Sequence, residues 1–148
     1  MQDSGGFLCF GTTDGLTGYD GYDVKIFRND PSDINSLSDN FITSIIEDSQ
    51  GNLWVGTNRG LNLFNPKTEL FIHFRHQTDD TNSLSDDFVR SIAEDSQGNI
   101  WIGTRNGGLN QYNPKTKQFI HHRNQANNSN SLSDNFVSDI LVDDRGGI

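Results

Sequence analysis

The chain is poor in most of what would declare a chemistry. A single cysteine, Cys9, in 148 residues excludes an intrachain disulfide and leaves the redox compartment unread. Basic residues are few: 11 Lys and Arg stand against 20 Asp and Glu, for a formal net charge of −9. A nucleic-acid backbone calls for a basic cluster, and none occurs, so no nucleic acid is expected as a partner. No apolar run approaches the roughly 18–20 residues of a membrane span. Hydrophobic residues make up only 32% of the chain, little for one compact core. Units that bury their faces against one another fit that composition better. No run shows the 3.6-residue period of a helix.

What is present is repetition. Asn35-Ser36-Leu37-Ser38-Asp39-Asn40-Phe41 returns as Asn82 to Phe88 and again as Asn130 to Phe136, with Leu37, Leu84 and Leu132 spaced by 47 and then 48 residues. A period of about 40–50 residues holding four short apolar runs is the pattern of propeller blades. In the second unit the runs are Phe41 to Glu47, Leu53 to Thr57, Leu61 to Phe64 and Glu69 to Arg75. In the third they are Val89 to Glu94, Ile100 to Thr104, Leu109 to Tyr112 and Gln118 to Arg123. Each is rich in β-branched and aromatic types and bounded by turn residues, which predicts four strands per unit.

The turns follow the same logic. Asp48-Ser49-Gln50-Gly51, Asp95-Ser96-Gln97-Gly98 and Asp3-Ser4-Gly5-Gly6 put Asp first, to bond the backbone two residues on, and Gly last, to supply positive φ. These predict hairpins between first and second strands. Asn65-Pro66-Lys67-Thr68 and Asn113-Pro114-Lys115-Thr116 predict hairpins between third and fourth strands, with Pro where its fixed φ suits. Aligned this way, Met1 stands where Ile46 stands, and Ile148 where Ile100 stands. The expected fold is all-β: about three four-stranded antiparallel blades of a propeller, both ends falling inside a blade. The expected units are 1–34 (lacking most of its first strand), 35–81, 82–129, and 130–148 as the first strand of a fourth. Open edges and an open blade face lead us to expect self-association or marginal stability.

The stretches Glu47 to Thr57 with Gly60 to Pro66, and Glu94 to Thr104 with Gly108 to Pro114, closely resemble the two-component regulator propeller repeat. Gly15 to Asp23 resembles the first blade of such proteins. The chain departs from the repeat at two places: Cys9 stands where Trp54 and Trp101 stand, and Gly18 where Leu63 and Gln111 stand. The resemblance implies a seven-bladed sensor propeller, periplasmic or otherwise extracytoplasmic, in an inner-membrane receptor whose output is a histidine kinase phosphorelay or a diguanylate cyclase. It implies a small-molecule or oligosaccharide ligand, packing against further blades of the parent chain, and a homodimeric parent.

Candidate sites follow from where the units differ. The turns between second and third strands and the ends of the linkers lie on one face of a propeller, at the channel mouth. Asp14, Asn58, Arg59, Arg105 and Asn106 occupy those turns, together with Thr13. Arg90, like Thr43 and Ser138, sits just inside a first strand, and Asn40, Asp87 and Asn135 end the linkers. Arg90 and Arg105 suit bidentate contact with an anion. The bland reading is surface variation, the norm for loops. Trp54 and Trp101 are read as packing between blades rather than as ligand platforms. Cys9 in that position leaves a weaker contact.

His73, His76, His121 and His122 do not make a metal site on this geometry, because equivalent outer-strand positions lie too far apart to converge. Asp30 to Asn35 lacks the Gly and Glu of an EF-hand loop, although its oxygens leave another kind of calcium site open. No nucleophile constellation or phosphate loop is visible. No cofactor and no catalysis are expected of this chain. Two other classes stay open. The Gly-Asn-Leu-Trp segment also resembles streptogramin-lyase-like propeller enzymes, which call for a catalytic His near the channel. The third class is a protein-interaction or dimerisation scaffold.

Overall fold

The computed structural model describes residues 1–2, 6, 8–19, 21–143, 145 and 147–148. Among these, eleven strands form three antiparallel sheets and no helix occurs. The first sheet holds β1 (Leu8–Thr12), β2 (Gly15–Tyr19) and β3 (Val24–Phe27) in sequence order. The second holds β4 (Ile42–Glu47), β5 (Leu53–Thr57), β6 (Gly60–Asn65) and β7 (Leu70–Phe74). The third holds β8 (Val89–Glu94), β9 (Ile100–Thr104), β10 (Leu109–Asn113) and β11 (Gln118–His122). Each sheet is an up-and-down meander, as short hairpins between consecutive runs require.

The repeat is kept in the pairing. Ile46 faces Trp54 across β4–β5, and Ala93 faces Trp101 across β8–β9. Met1 takes the corresponding place in the first sheet. The Cys9 N–H donates to Met1 O at 2.8 Å, and the Met1 amino group donates back to Cys9 O at 2.9 Å. The hairpin acids act on their own turns. Asp48 Oδ1 accepts from the Gln50 and Asn52 N–H groups at 3.0 and 2.8 Å, and Asp95 Oδ1 from Gln97 and Asn99 at 2.9 Å each. Asp143 Oδ1 repeats this with Arg145 and Gly147 at 2.9 and 2.7 Å. The hairpin expected at Asp3 to Gly6 lies, apart from Gly6, outside the described residues.

Sheets pack through their first strands: β8 lies against β4 and β5, and β4 against β1. Two apolar clusters fill the interfaces. Between the first and second sheets sit Cys9, Leu16, Leu37, Leu53, Val55, Phe64 and Phe71; between the second and third, Trp54, Leu61, Leu84, Val89, Ile92, Ile100, Ile102 and Tyr112. Gly56 sets how closely the second pair approaches. A Cβ placed on it would lie 2.6 Å from Val89 Cγ1 and 3.3 Å from Ile92 Cδ1, so only hydrogen fits there.

The linkers are ordered pieces of the scaffold, not spacers. Leu37 and Leu84 are fully buried in the two clusters. Ser36, Ser83 and Ser131 each accept the backbone N–H six residues earlier, from Asp30, Gln77 and Gln125, at 2.8–2.9 Å. Each linker end also returns to the preceding sheet: Gly15, Gly60 and Gly108 donate to the carbonyls of Asn40, Asp87 and Asn135 at 2.7–2.9 Å.

The described residues of 130–148, expected to supply the first strand of a fourth unit, form no strand. Val137 donates to Thr104 O at 3.0 Å, but among the described residues no strand pairs with 137–143. An unpaired strand leaves its ladder groups without partners, which is the physical reason the extended segment stays irregular.

Candidate ligand-binding face

One distortion recurs in the first strands. In β4 the ladder steps from Ile42↔Thr57 to Ser44↔Gly56, leaving Thr43 as an extra residue. In β8 it steps from Val89↔Thr104 to Ser91↔Gly103, leaving Arg90 as the extra residue. These are β-bulges, which bend a strand and re-aim a side chain. Both bulged residues are among the positions where the units differ in sequence.

The bulges leave polar groups unsatisfied. Among the described residues, the buried side-chain atoms without a hydrogen-bond partner are Thr43 Oγ1, Asn58 Oδ1, Ser85 Oγ, Arg90 Nε and His122 Nε2. The first four belong to the bulges, the β5–β6 turn and the linker that enters β8. Buried polar atoms cost about 1–3 kcal/mol each when left unpaired, so their gathering at one end of the sheets calls for a functional account. The Arg90 guanidinium carbon stands 4.9 Å from the Phe136 ring centroid, a cation–π contact that holds the side chain while leaving its N–H donors for other work.

Of the turn residues expected at this face, Asp14, Arg59, Arg105 and Asn106 are each tied to a linker. Arg59 Nε lies 3.3 Å from Asp39 Oδ2, with the Arg59 side chain 72% exposed. Asn106 donates its N–H to Asp86 Oδ2 at 2.7 Å. Arg105 lies over Phe88, with 5.2 Å to the ring centroid, and donates its N–H to Phe88 O at 3.0 Å. Asp14 accepts from Arg28 Nη2 at 2.8 Å in an exposed pair. The Arg28 hydrogen bond and charge hold the Asp14 carboxyl below its ordinary value, and the Asp14 hydrogen bond and charge raise Arg28 above its own. Among the described residues no hydrogen bond or ion pair joins one of Asp14, Asn58, Arg59, Arg90, Arg105 and Asn106 to another. They are separate anchors, one on the first sheet, two on the second and three on the third, not a preassembled cluster.

The histidines do something the sequence did not announce. His73 and His121 hold the carbonyls of Ser36 and Ser83 through Nε2 at 2.6 and 2.7 Å, and His76 holds Leu84 O through Nδ1 at 2.8 Å. His122 stacks on Trp101 with centroids 5.3 Å apart. Three of the four thus pin linkers, and the fourth packs. The acidic linker oxygens cap turns: Asp30 Oδ1 accepts from the Ser32 N–H and hydroxyl at 2.9 and 2.7 Å, and Asp33 Oδ1 from Asn35 at 2.9 Å. Among the described residues no group of three or more His, Cys, Asp or Glu side chains is placed to hold a metal.

The residues that sequence reasoning missed are Asn62 and Asn110. Both are fully buried. Asn62 Oδ1 accepts from the Ser38 N–H at 2.9 Å and its Nδ2 donates to Ser38 Oγ at 2.8 Å; Asn110 Oδ1 accepts from Ser85 at 2.9 Å. They lock the linkers under the candidate face. The signal was the repeated Gly-Leu-Asn, readable only once the strand is known to face a linker.

The two component regulator propeller model matches residues 36–59 and 83–106. The solved structure described as the extracellular domain of the hybrid two component system BT3049 from B. thetaiotaomicron is 30% identical, with a TM-score of 0.74 over 99% of this chain and 19% of that one. The extracellular domain of the one component system BT4673 from the same organism is 23% identical, with a TM-score of 0.64 over 95% of this chain and 24% of that one, a likeness of fold. The chain thus spans about a fifth to a quarter of the length of these structures. A search of curated proteins finds no match. Leu37, Leu84 and Trp54, which sit in the two apolar clusters above, fall within the two stretches that match the two component regulator propeller model.

Proposed function

We propose that this chain is a sensing part of an extracytoplasmic signalling receptor, and that the face carrying Thr43, Asn58 and Arg90 contacts an anionic small molecule or acidic oligosaccharide. The observation that carries the reading is the coincidence of three things at one end of the sheets: the bulged residues, the variation among units, and four buried polar atoms without partners. Arg59, Arg90 and Arg105 supply cationic donors there, suited to carboxylate recognition. The similarity to an extracellular domain of a hybrid two component system supports the receptor context.

In this reading the chain performs no catalysis. Ligand binding shifts an equilibrium between receptor states, and a kinase or cyclase elsewhere in a homodimeric receptor carries the output.

The test replaces Arg59, Arg90 and Arg105 together by Ala in the receptor and reads signalling output against ligand dose. Each charged hydrogen bond is worth about 1.5–3 kcal/mol, so a loss of tenfold or more in sensitivity is expected. An unchanged dose response would sink the proposal.

A further inference from the structure

The first and second sheet interfaces are built from equivalent positions but are not equally filled. In the second interface the Trp54 indole sits between Phe74 and Tyr112, with centroid distances of 5.6 and 5.8 Å, and is 1% exposed. In the first interface Phe27 and Phe64 take the places of Phe74 and Tyr112, with centroids 4.9 Å apart. The residue in the place of Trp54 is Cys9, and the one in the place of Leu63 is Gly18. Two large side chains are thus missing from one side of the interface.

The space they vacate is real. A cavity of about 130 Å³ lies there, its apolar wall formed by Cys9, Leu16, Phe27, Leu53 and Phe64. A Cβ added to Gly18 would meet nothing within 4 Å. A protein cavity of about 150 Å³ lined by apolar side chains takes up a benzene molecule, so this one matches a small aromatic ring system in size.

Its rim is charged and open to solvent. Lys25 stands where the second sheet has Ile72, and it pairs with Glu69; the two side chains are 57% and 47% exposed. Asp23 and Glu47 also line the rim, so among the described residues three carboxylates and one ammonium stand there.

We infer that this cavity is a binding site for a small planar aromatic molecule, neutral or cationic, of about the size of an indole. The fold itself shows the fit, because the same space one interface further on holds an indole ring against an equivalent aromatic pair. The acidic rim favours a cationic tail and disfavours an anionic one. The site is separate from the bulged face and does not depend on the receptor reading.

The test titrates the chain with indole, tryptamine and indole-3-acetate. Methyl NMR shifts at Leu16 and Leu53 and the thermal midpoint are followed. Tryptamine and indole are expected to perturb both methyl groups and raise the midpoint, with indole-3-acetate at least tenfold weaker. Cys9→Trp should fill the cavity, raise the midpoint without ligand, and weaken indole binding at least tenfold. Gly18→Leu narrows the same space from β2 and should weaken binding likewise, so the test stands if Cys9→Trp does not fold. The inference is overturned if millimolar indole and tryptamine leave Leu16 and Leu53 unmoved. It is also overturned if binding survives a folded cavity-filling variant, or if indole-3-acetate binds as well as tryptamine.

Discussion

Trp54 donates its indole Nε1–H to Asp48 Oδ2 at 2.8 Å, joining the hairpin acid to the ring that fills the next interface. Trp101 does the same with Asp95, also at 2.8 Å. One carboxylate thus closes a turn with one oxygen and orients a core aromatic with the other. That double role explains why Asp, not Asn or Ser, opens both hairpins.

Trp54→Ala should destabilise the chain by about 3–5 kcal/mol, the range for deleting a buried aromatic. Asp48→Ala should cost about 1–3 kcal/mol by leaving the indole N–H and the turn amides unpaired. Because the two residues share one bond, the double variant should lose less than the sum. Urea denaturation of the four species measures this; strict additivity would contradict the coupling.

Two glycines at like-sounding positions should respond in opposite directions. Gly56→Ala forces a methyl group to within 2.6 Å of Val89 Cγ1 and should cost about 1–3 kcal/mol, as overpacking does. Val89→Ala in the same background should recover part of the loss. Gly18→Ala meets no atom within 4 Å and should be neutral or stabilising by up to about 1 kcal/mol, since a strand glycine is entropically costly. Thermal midpoints of the variants decide it.

Acid should loosen the third sheet through Asp95. Burial pushes the Asp95 carboxyl up, but hydrogen bonds from the Asn99 side chain, the Trp101 indole and the Asn99 and Gln97 amides outweigh it and hold it below the ordinary value. A carboxyl lowered in the folded state stabilises above its unfolded value of about 3.9, and that contribution is lost as pH falls through the folded value. The stability gap between wild type and Asp95→Asn should therefore be constant above about pH 5 and narrow below about pH 4. A gap that widens on acidification would contradict this assignment.

Much of the scaffold was legible in the sequence, because its signals are local. Leu53–Thr57, Val89–Glu94 and Ile100–Thr104 form strands with the bounds their apolar runs suggest, and the other expected strands of the second and third sheets differ by one residue at one or both ends. The hairpin acids act on the amides two residues on, as their position demands. The bulges were not legible: Thr43 and Arg90 interrupt a ladder whose register exists only once β4 meets β5 and β8 meets β9. The roles of the linkers were not legible for a related reason: only tertiary contact shows Ser36 and Ser83 as turn bonds and Leu84 as core. At the candidate face variation picks out Arg90 and Asn58 in the sequence, but the Phe136 ring against Arg90 lies 46 residues away along the chain and left no local signal.

The most direct test of the account is an amide NMR titration of this chain with an oligogalacturonate, the acidic probe, against a neutral maltooligosaccharide of similar size. The account predicts that the acidic probe shifts the amides of Thr43, Asn58 and Arg90, and that Arg90→Ala weakens those shifts about tenfold or more. Shifts confined to the outer strands β7 and β11, or equal for both probes and indifferent to Arg90→Ala, would contradict it.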